Sequence, residues 1–299
     1  MPSITALVGQ TPLVPIPFEN PAVQILGKME GHNPGGSVKD RAALGMIEGA
    51  FRKGYLSKGA HIIEATSGNT GIALAMIGRQ KGLHVHLVMP DNSTLERIQT
   101  MQAFGAEVIL TPAAKSIEYS REVADHLANK YDYFQLDQFA NPDNWNAHYQ
   151  STGPEIWNDT NGKITHFVSA MGTTGTIMGV GKYLKEKNSK VKIIGVQPAE
   201  GASIPGIRRW SPAFLPKIFD PKYVDSTIDI SQEVAAEQTL KNARESGIFG
   251  GLSAGGATAA AIQIARNIQE GLIVCIICDR GDRYLSSGLF DDVTPTIYP

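Results

Sequence analysis

One feature constrains this chain more than any other: short apolar runs, four to seven residues long, alternate with helical segments. The runs are VQIL (23–26), HIIEA (61–65), HVHLVM (84–89), AEVIL (106–110), YFQL (133–136), THFVSA (165–170), VKIIGVQ (191–197) and LIVCII (272–277). Helical stretches such as IALAMIGRQKG (72–82) and IMGVGKYLKEKN (177–188) lie between most of them. Parallel strands need a crossover, usually a helix, so this alternation predicts an α/β fold with mainly parallel sheets. A length of 299 residues suggests about two domains, at roughly 150 residues each. The stretch NPDNWNAHYQSTGPE (141–155) is polar and turn-rich, and is expected to separate them. Ligands should then collect at the carboxyl ends of strands, in a cleft between domains.

Composition excludes several classes. Apolar content of 42% and charged content of 19% fit an ordinary globular protein. A net charge of −2 without a basic run argues against a nucleic-acid partner. No secretory leader is read at the start, and the longest apolar runs are too short to span a bilayer, so no membrane partner and a cytoplasmic place are expected. The cysteines, Cys275 and Cys278, form a C-x-x-C inside a strand-like run. Residues three apart on a strand point to opposite faces, so a disulfide or a shared metal is not expected. No other Cys/His cluster completes a metal site, and His84 and His86 read as structural.

The stretch NPGGSVKDR (33–41) carries an awkward lysine. Ser37 and Asp40 resemble a capping box. Ala43, Met46, Ile47, Ala50 and Phe51 then recur at helical spacing, and Gly54 closes the element. Lys39 therefore sits at a helix N-terminus, where a cation has the wrong sign by roughly 0.3–1 kcal/mol. Either it is a solvated surface lysine, or its neutral amine is favoured for chemistry.

Three glycine-rich turns bear on that choice. TSGNTG (66–71) and MGTTGT (171–176) each follow a strand, and GGLSAGGA (250–257) precedes a helical run. Glycines let the backbone approach a ligand, and helix N-termini offer free N–H groups to anions. Hydroxyls at Thr173, Thr174 and Thr176 add donors. MGTTGT lacks G-x-G-x-x-G, and the next strand ends in Gln197 rather than an acid, which argues against a dinucleotide. No G-K-[ST] follows any turn, which argues against a nucleoside triphosphate. A phosphate cradle, a second anion turn and a nucleophilic lysine together suggest pyridoxal phosphate, whose chemistry needs all three.

NPGGSVKDR, EATSGNTGIALA, DQFANPDN, THFVSAMGTTGTI and RGDRYLSSGLF together resemble the cysteine synthase family of fold-type II pyridoxal phosphate enzymes, in order and nearly end to end. GIRRW (206–210) and CDRGDRY (278–284) resemble the branch of that family that accepts thiosulfate as well as sulfide. The resemblance implies two domains, each with a mainly parallel twisted sheet flanked by helices. Residues 36–145 would form the smaller domain, and residues 1–35 and 146–299 the larger. It implies that Lys39 is the Schiff-base lysine and general base, that Asn69 meets the cofactor's ring oxygen, and that Ser253 faces its pyridine nitrogen. Gly172, Thr173, Thr174, Gly175 and Thr176 match the phosphate loop. Thr66, Ser67, Thr70 and Gln138 match positions that hold the substrate carboxylate. The family often has a second serine after the first; here Ala254 stands there.

The implied reaction is β-replacement on O-acetyl-L-serine. Acetate leaves through an α-aminoacrylate, and sulfide then gives cysteine or thiosulfate gives S-sulfocysteine. Thiosulfate is a dianion, so Arg208 and Arg209, with Trp210 beside them, are candidates to meet it, Arg209 the stronger. Cys278, at the carboxyl edge of its strand, is a candidate to line the donor pocket. A homodimer is expected from the resemblance alone. The alternatives are a serine or threonine dehydratase or a cystathionine β-synthase type of β-replacement, whose larger relatives carry regulatory segments for which DDVTPTIYP leaves no room. A partner-binding, non-catalytic relative is a third, which intact Lys39, Asn69 and Ser253 argue against.

Overall fold

A computed structural model describes residues 3–66 and 68–291. Among these residues ten strands fall into two sheets. β1 (Leu13–Ile16) and β2 (Val23–Met29) come first, followed by α1 (Lys39–Arg52), β3 (His61–Ala65), α2 (Asn69–Gln80), β4 (His84–Pro90), α3 (Leu95–Ala103), β5 (Glu107–Thr111), α4 (Ser116–Tyr131) and β6 (Phe134–Gln135). Then come α5 (Pro142–Gln150), α6 (Thr152–Asp159), β7 (His166–Ala170), α7 (Gly175–Lys187), β8 (Lys192–Pro198), β9 (Ser226–Ile230), α8 (Gln232–Ser246), α9 (Leu252–Ala265) and β10 (Gly271–Ile277).

The larger sheet runs β1-β2-β10-β7-β8-β9, and the smaller β5-β4-β3-β6. Only β1 pairs antiparallel; every other pair is parallel. Both faces of the larger sheet are covered. Ile273, Cys275 and Ile277 of β10 point into one core with α9, while Val274 and Ile276 point into another with α7. A parallel strand covered on both faces must be apolar at successive positions, which is why LIVCII reads as an unbroken run. The smaller sheet packs α1 and α2 on one face and α4 on the other.

Eight strands coincide with the apolar runs of the sequence, although β6 pairs only over two residues. β1 and β9 are edge strands that the reading above did not include. The segment 141–155 differs more. It is not a turn but the whole of α5 and the start of α6. Asn141 caps α5 by accepting the Asp143 N–H (3.0 Å), and Pro142 occupies its first turn, where no N–H is needed. The expected capping box at α1 is also absent. Val38 is the N-cap, and the Asp40 carboxylate turns back to accept the Gly35 N–H (2.5 Å). The helical face is as expected, with Ala43, Met46, Ile47 and Ala50 buried. Among the described residues no helix is long and apolar enough to cross a membrane, and no group of three His, Cys, Asp or Glu could hold a metal ion.

Candidate active site

Four helices begin at one cleft. Lys39 is the first residue of α1, Asn69 the first of α2, Gly175 the first of α7 and Ser253 the second of α9. Lys39, Asn69, the stretch 172–176, Ser253 and Cys278 all line it. The folding reason is the topology: α1, α2 and α7 each follow a strand that releases the chain at its carboxyl edge, whereas α9 follows α8 through a glycine-rich turn at the same cleft. The cleft thus receives the positive ends of several helix dipoles.

The phosphate-loop candidates are held by close packing. Thr174 takes the left-handed conformation at φ 70°, and its hydroxyl is buried without a partner. A Cβ at position 175 would come 2.0 Å from Asn144 Oδ1, and one at 172 would come 2.8 Å from the Gly206 carbonyl. Only glycine fits at either place. A buried hydroxyl with no partner among the described residues, beside the N–H groups that start α7, suits an anion such as a phosphate. Lys39 and Asn69 lie at the same cleft, so the residues present fit a phosphorylated aldehyde such as pyridoxal phosphate.

Lys39 has no ion pair among the described residues. Burial pushes its pKa down and outweighs the upward pull of Cys278, Asp279 and Glu30. Desolvation disfavours the ammonium form, so the neutral amine is easier to reach than on an exposed lysine. Burial likewise pushes the Cys278 thiol up to about 11, so it lines the cleft as a neutral thiol. Cys275, deeper in β10, is pushed up to about 12 by burial, and both cysteines are free.

Asn69 is fixed from the far end of the chain. Its Nδ2 donates to Asp279 Oδ2 (2.7 Å), and its Oδ1 accepts from Arg283 Nη1 (2.5 Å). Arg283 also donates to the Gly35 carbonyl, and the Tyr284 hydroxyl donates to Asp279 Oδ2 (2.7 Å). Sequence reasoning did not single out Asp279, Arg283 or Tyr284 as cleft residues, because nothing local links them to Asn69.

The substrate-carboxylate candidates sit beside this cleft. Thr66, Thr70 and Gln138 are buried, and Thr70 Oγ1 donates to Gln138 Oε1 (2.7 Å). Ser67 lies outside the described residues. Asn144 joins the two subsites: its Nδ2 donates to the Gln138 carbonyl (2.7 Å) and to Thr173 Oγ1 (3.1 Å). His148, from the same helix, is buried with Nδ1 2.9 Å from Thr152 Oγ1 and Nε2 3.4 Å from Thr176 Oγ1. Burial, with Arg41 and Lys39 nearby, holds its pKa well below the ordinary range. Both residues were missed because their helix was read as a turn.

The segment 206–210 abuts the phosphate-loop candidates. The Arg208 N–H donates to the Met171 carbonyl (2.8 Å), and Trp210 Nε1 donates to the Gly172 carbonyl (2.8 Å). Arg209 points elsewhere: its guanidinium bonds the Pro198 carbonyl (3.0 Å) and pairs with Asp229, and it is not in the cleft wall. The Arg208 guanidinium lies over the Trp210 ring, 5.6 Å from its centroid.

Comparison with known proteins adds the family. The model of the pyridoxal-phosphate dependent enzymes matches residues 4–279. Cysteine synthase B of Pseudomonas aeruginosa is 55% identical, covering 97% of this chain and 98% of its own. Cysteine synthase B of Escherichia coli is 50% identical, covering 98% and 97%. Among solved structures, an O-ureido-L-serine synthase superposes with a TM-score of 0.94 at 35% identity, over 99% of this chain and 97% of that one.

Proposed function

This chain belongs to the pyridoxal-phosphate dependent enzyme family, in its cysteine synthase branch, and from that premise we propose how its residues share the reaction. It is a transferase of cysteine biosynthesis that replaces the β-substituent of O-acetylserine with sulfur. Bound in the cleft, pyridoxal phosphate supplies an electron sink for the substrate's α-carbon, so that the α-proton can be lost and acetate expelled.

The N–H groups at the start of α7, with Thr173, Thr174 and Thr176, would hold the phosphate. Asn69, its amide already oriented by Asp279 and Arg283, would meet the ring oxygen. Ser253 would face the ring nitrogen with a hydroxyl. A hydroxyl there, unlike a carboxylate, would leave that nitrogen mostly unprotonated and so would favour prompt loss of a β-leaving group. Thr66, Ser67, Thr70 and Gln138 would hold the substrate carboxylate. Lys39 would then take the proton from Cα. It must be neutral to do so, and its desolvated site favours that form. The observation that carries the reading is this lysine, without an ion pair, at one cleft with the phosphate loop, Asn69 and Ser253.

Thiosulfate is proposed as a second donor beside sulfide. Its support is the identity with B-type cysteine synthases and the packing of segment 206–210 on the phosphate loop. Arg209 would have to leave Asp229 to meet the dianion, whereas Cys278 already lines the cleft. A cytoplasmic homodimer is part of the same proposal, supported by the family resemblance. The test is a donor comparison with O-acetylserine and product analysis. Thiosulfate should give S-sulfocysteine, and Arg209→Ala should lower turnover on thiosulfate several-fold more than on sulfide. Equal losses on both donors would remove Arg209 from the donor site, and absence of S-sulfocysteine would remove thiosulfate.

A further inference from the structure

A second cavity lies behind the substrate side, outside the cleft already described. It measures about 190 Å³ and is lined by Glu64, Arg121, Asp125, Gln135, Asp137 and Phe139. Glu64 reaches from it to the substrate side. It is 8% exposed, one residue from the end of β3 and two before Thr66. Its Oε2 accepts the Asp137 N–H (3.2 Å), and its Oε1 lies at the long limit from the Gln138 N–H (3.5 Å). The two donors are consecutive. They converge because Asp137 takes the left-handed conformation (φ 49°), which folds successive N–H groups into an anion-binding nest. Gln138 then holds the Thr70 hydroxyl with its side chain and Asn144 with its carbonyl.

We infer that Glu64 is a positioning residue: its carboxylate seats the 137–138 nest, and thereby sets Gln138 and Thr70 for the substrate carboxylate. The inference rests on the reading of Thr70 and Gln138 as carboxylate-binding residues. Ionised, Glu64 offers acceptors to both N–H groups. Protonated, one of its oxygens becomes a donor and the nest loses an acceptor. Burial raises its pKa to about 7, against the two backbone N–H groups and Arg121 and with the help of Asp137. The charged groups around it are Asp137 on its own loop and Arg121 and Asp125 on α4. From β4 its register partner is the uncharged Leu87. The cavity gives waters of a proton path room to stand. The carboxylate-binding side should therefore be well set above about pH 7 and loosen below it.

The test measures apparent affinity for L-alanine, which lacks a leaving group, from the absorbance change of the loaded enzyme at pH 6–8. It uses wild type, Glu64→Gln and Gln138→Ala. The ratio of wild-type to Glu64→Gln affinity cancels the titration of the amino acid itself. That ratio should be roughly tenfold at pH 8 and approach unity at pH 6. Weakened binding in Gln138→Ala with none in Glu64→Gln overturns the inference but leaves the carboxylate site standing. Unchanged binding in Gln138→Ala overturns that site, and the inference with it. If Glu64→Gln does not fold, the wild-type backbone amide proton shifts of Asp137 and Gln138 decide. They should titrate together with a midpoint near 7, and flat shifts overturn the inference.

Discussion

Lys39 and Arg41 stand two residues apart at the start of α1 and end in opposite environments. Arg41 points away from the cleft into a closed charge cluster. Its guanidinium meets Glu30 (2.7 and 2.8 Å), Glu155 (2.6 and 2.7 Å), Thr11 (3.1 Å) and Ser151 (3.0 Å). Lys28, fully buried, joins it through Glu155 (2.9 Å), Asp159 (3.3 Å) and the Thr11 carbonyl (2.5 Å). Lys39 faces the cleft with no ion pair among the described residues. The difference teaches which buried cations react. A cation whose donors are all used is inert scaffold, and one left without an anion gives up its proton readily.

Removing the unpaired lysine is expected to have the largest effect on chemistry and little on the fold. Lys39→Ala should lower turnover by roughly three orders of magnitude or more, in the range expected for loss of a general base. Its urea-unfolding stability without cofactor should stay within about 1 kcal/mol of wild type, since no partner is left stranded. Initial rates and unfolding curves check both. A variant that keeps its rate within tenfold would erase the contrast between the two cations.

Arg41→Ala should show the reverse pattern. It leaves buried Glu30 without its cation and Glu155 with Lys28 alone, and removing one side of such a cluster costs about 3–5 kcal/mol. Turnover per folded molecule should remain within about tenfold of wild type, because Arg41 does not line the cleft. A loss under about 1 kcal/mol in the unfolding curve would mean that the cluster contributes nothing. The interpretation of the cluster as scaffold would then fall.

How much of this was legible in the sequence follows from where the signal is local. Lys39, the stretch 172–176 and Ser253 stand in short motifs at helix starts, and the fold brings them to one cleft. The α/β class was legible because covered parallel strands must be apolar throughout. β1 and β9 were not. Edge strands face solvent on one side, β1 carries Pro15, and four of the five residues of β9 stay at least partly exposed. Asn-Pro at 141–142 read as a turn, yet the same pair starts a helix when the asparagine caps and the proline takes the first turn. That misreading hid Asn144 and His148. Arg41 was invisible for a different reason. Its anions lie 11 and 114 residues away, and no spacing rule reaches that far.

The smallest expected effect is in pH dependence, and it separates the back of α1 from its front. At the back, burial acts to raise the Glu155 pKa, but the bonds and charge of Arg41, then those of Lys28, outweigh it and lower it to about 2. A depressed carboxylate stabilises the fold above its ordinary value near 4.5, and this is lost as pH falls toward 2. At the front, burial raises the Asp40 carboxyl to about 7, against the Gly35 N–H bond and the charges of Arg283 and Arg41. A raised carboxyl contributes stability that is fully present below its ordinary value near 3.8 and is lost as pH rises through about 7. Unfolding of the cofactor-free protein between pH 2.5 and 8 should therefore show two limbs of opposite sign. Arg41→Ala should flatten the acid limb, and Asp40→Asn, which keeps an acceptor for the Gly35 N–H, should make the limb toward neutral pH shallower, leaving the share of Glu64, whose carboxyl burial also raises to about 7. If one substitution flattened both limbs, the two sides of the helix would be a single electrostatic unit, and Lys39 would share the cluster it was contrasted with.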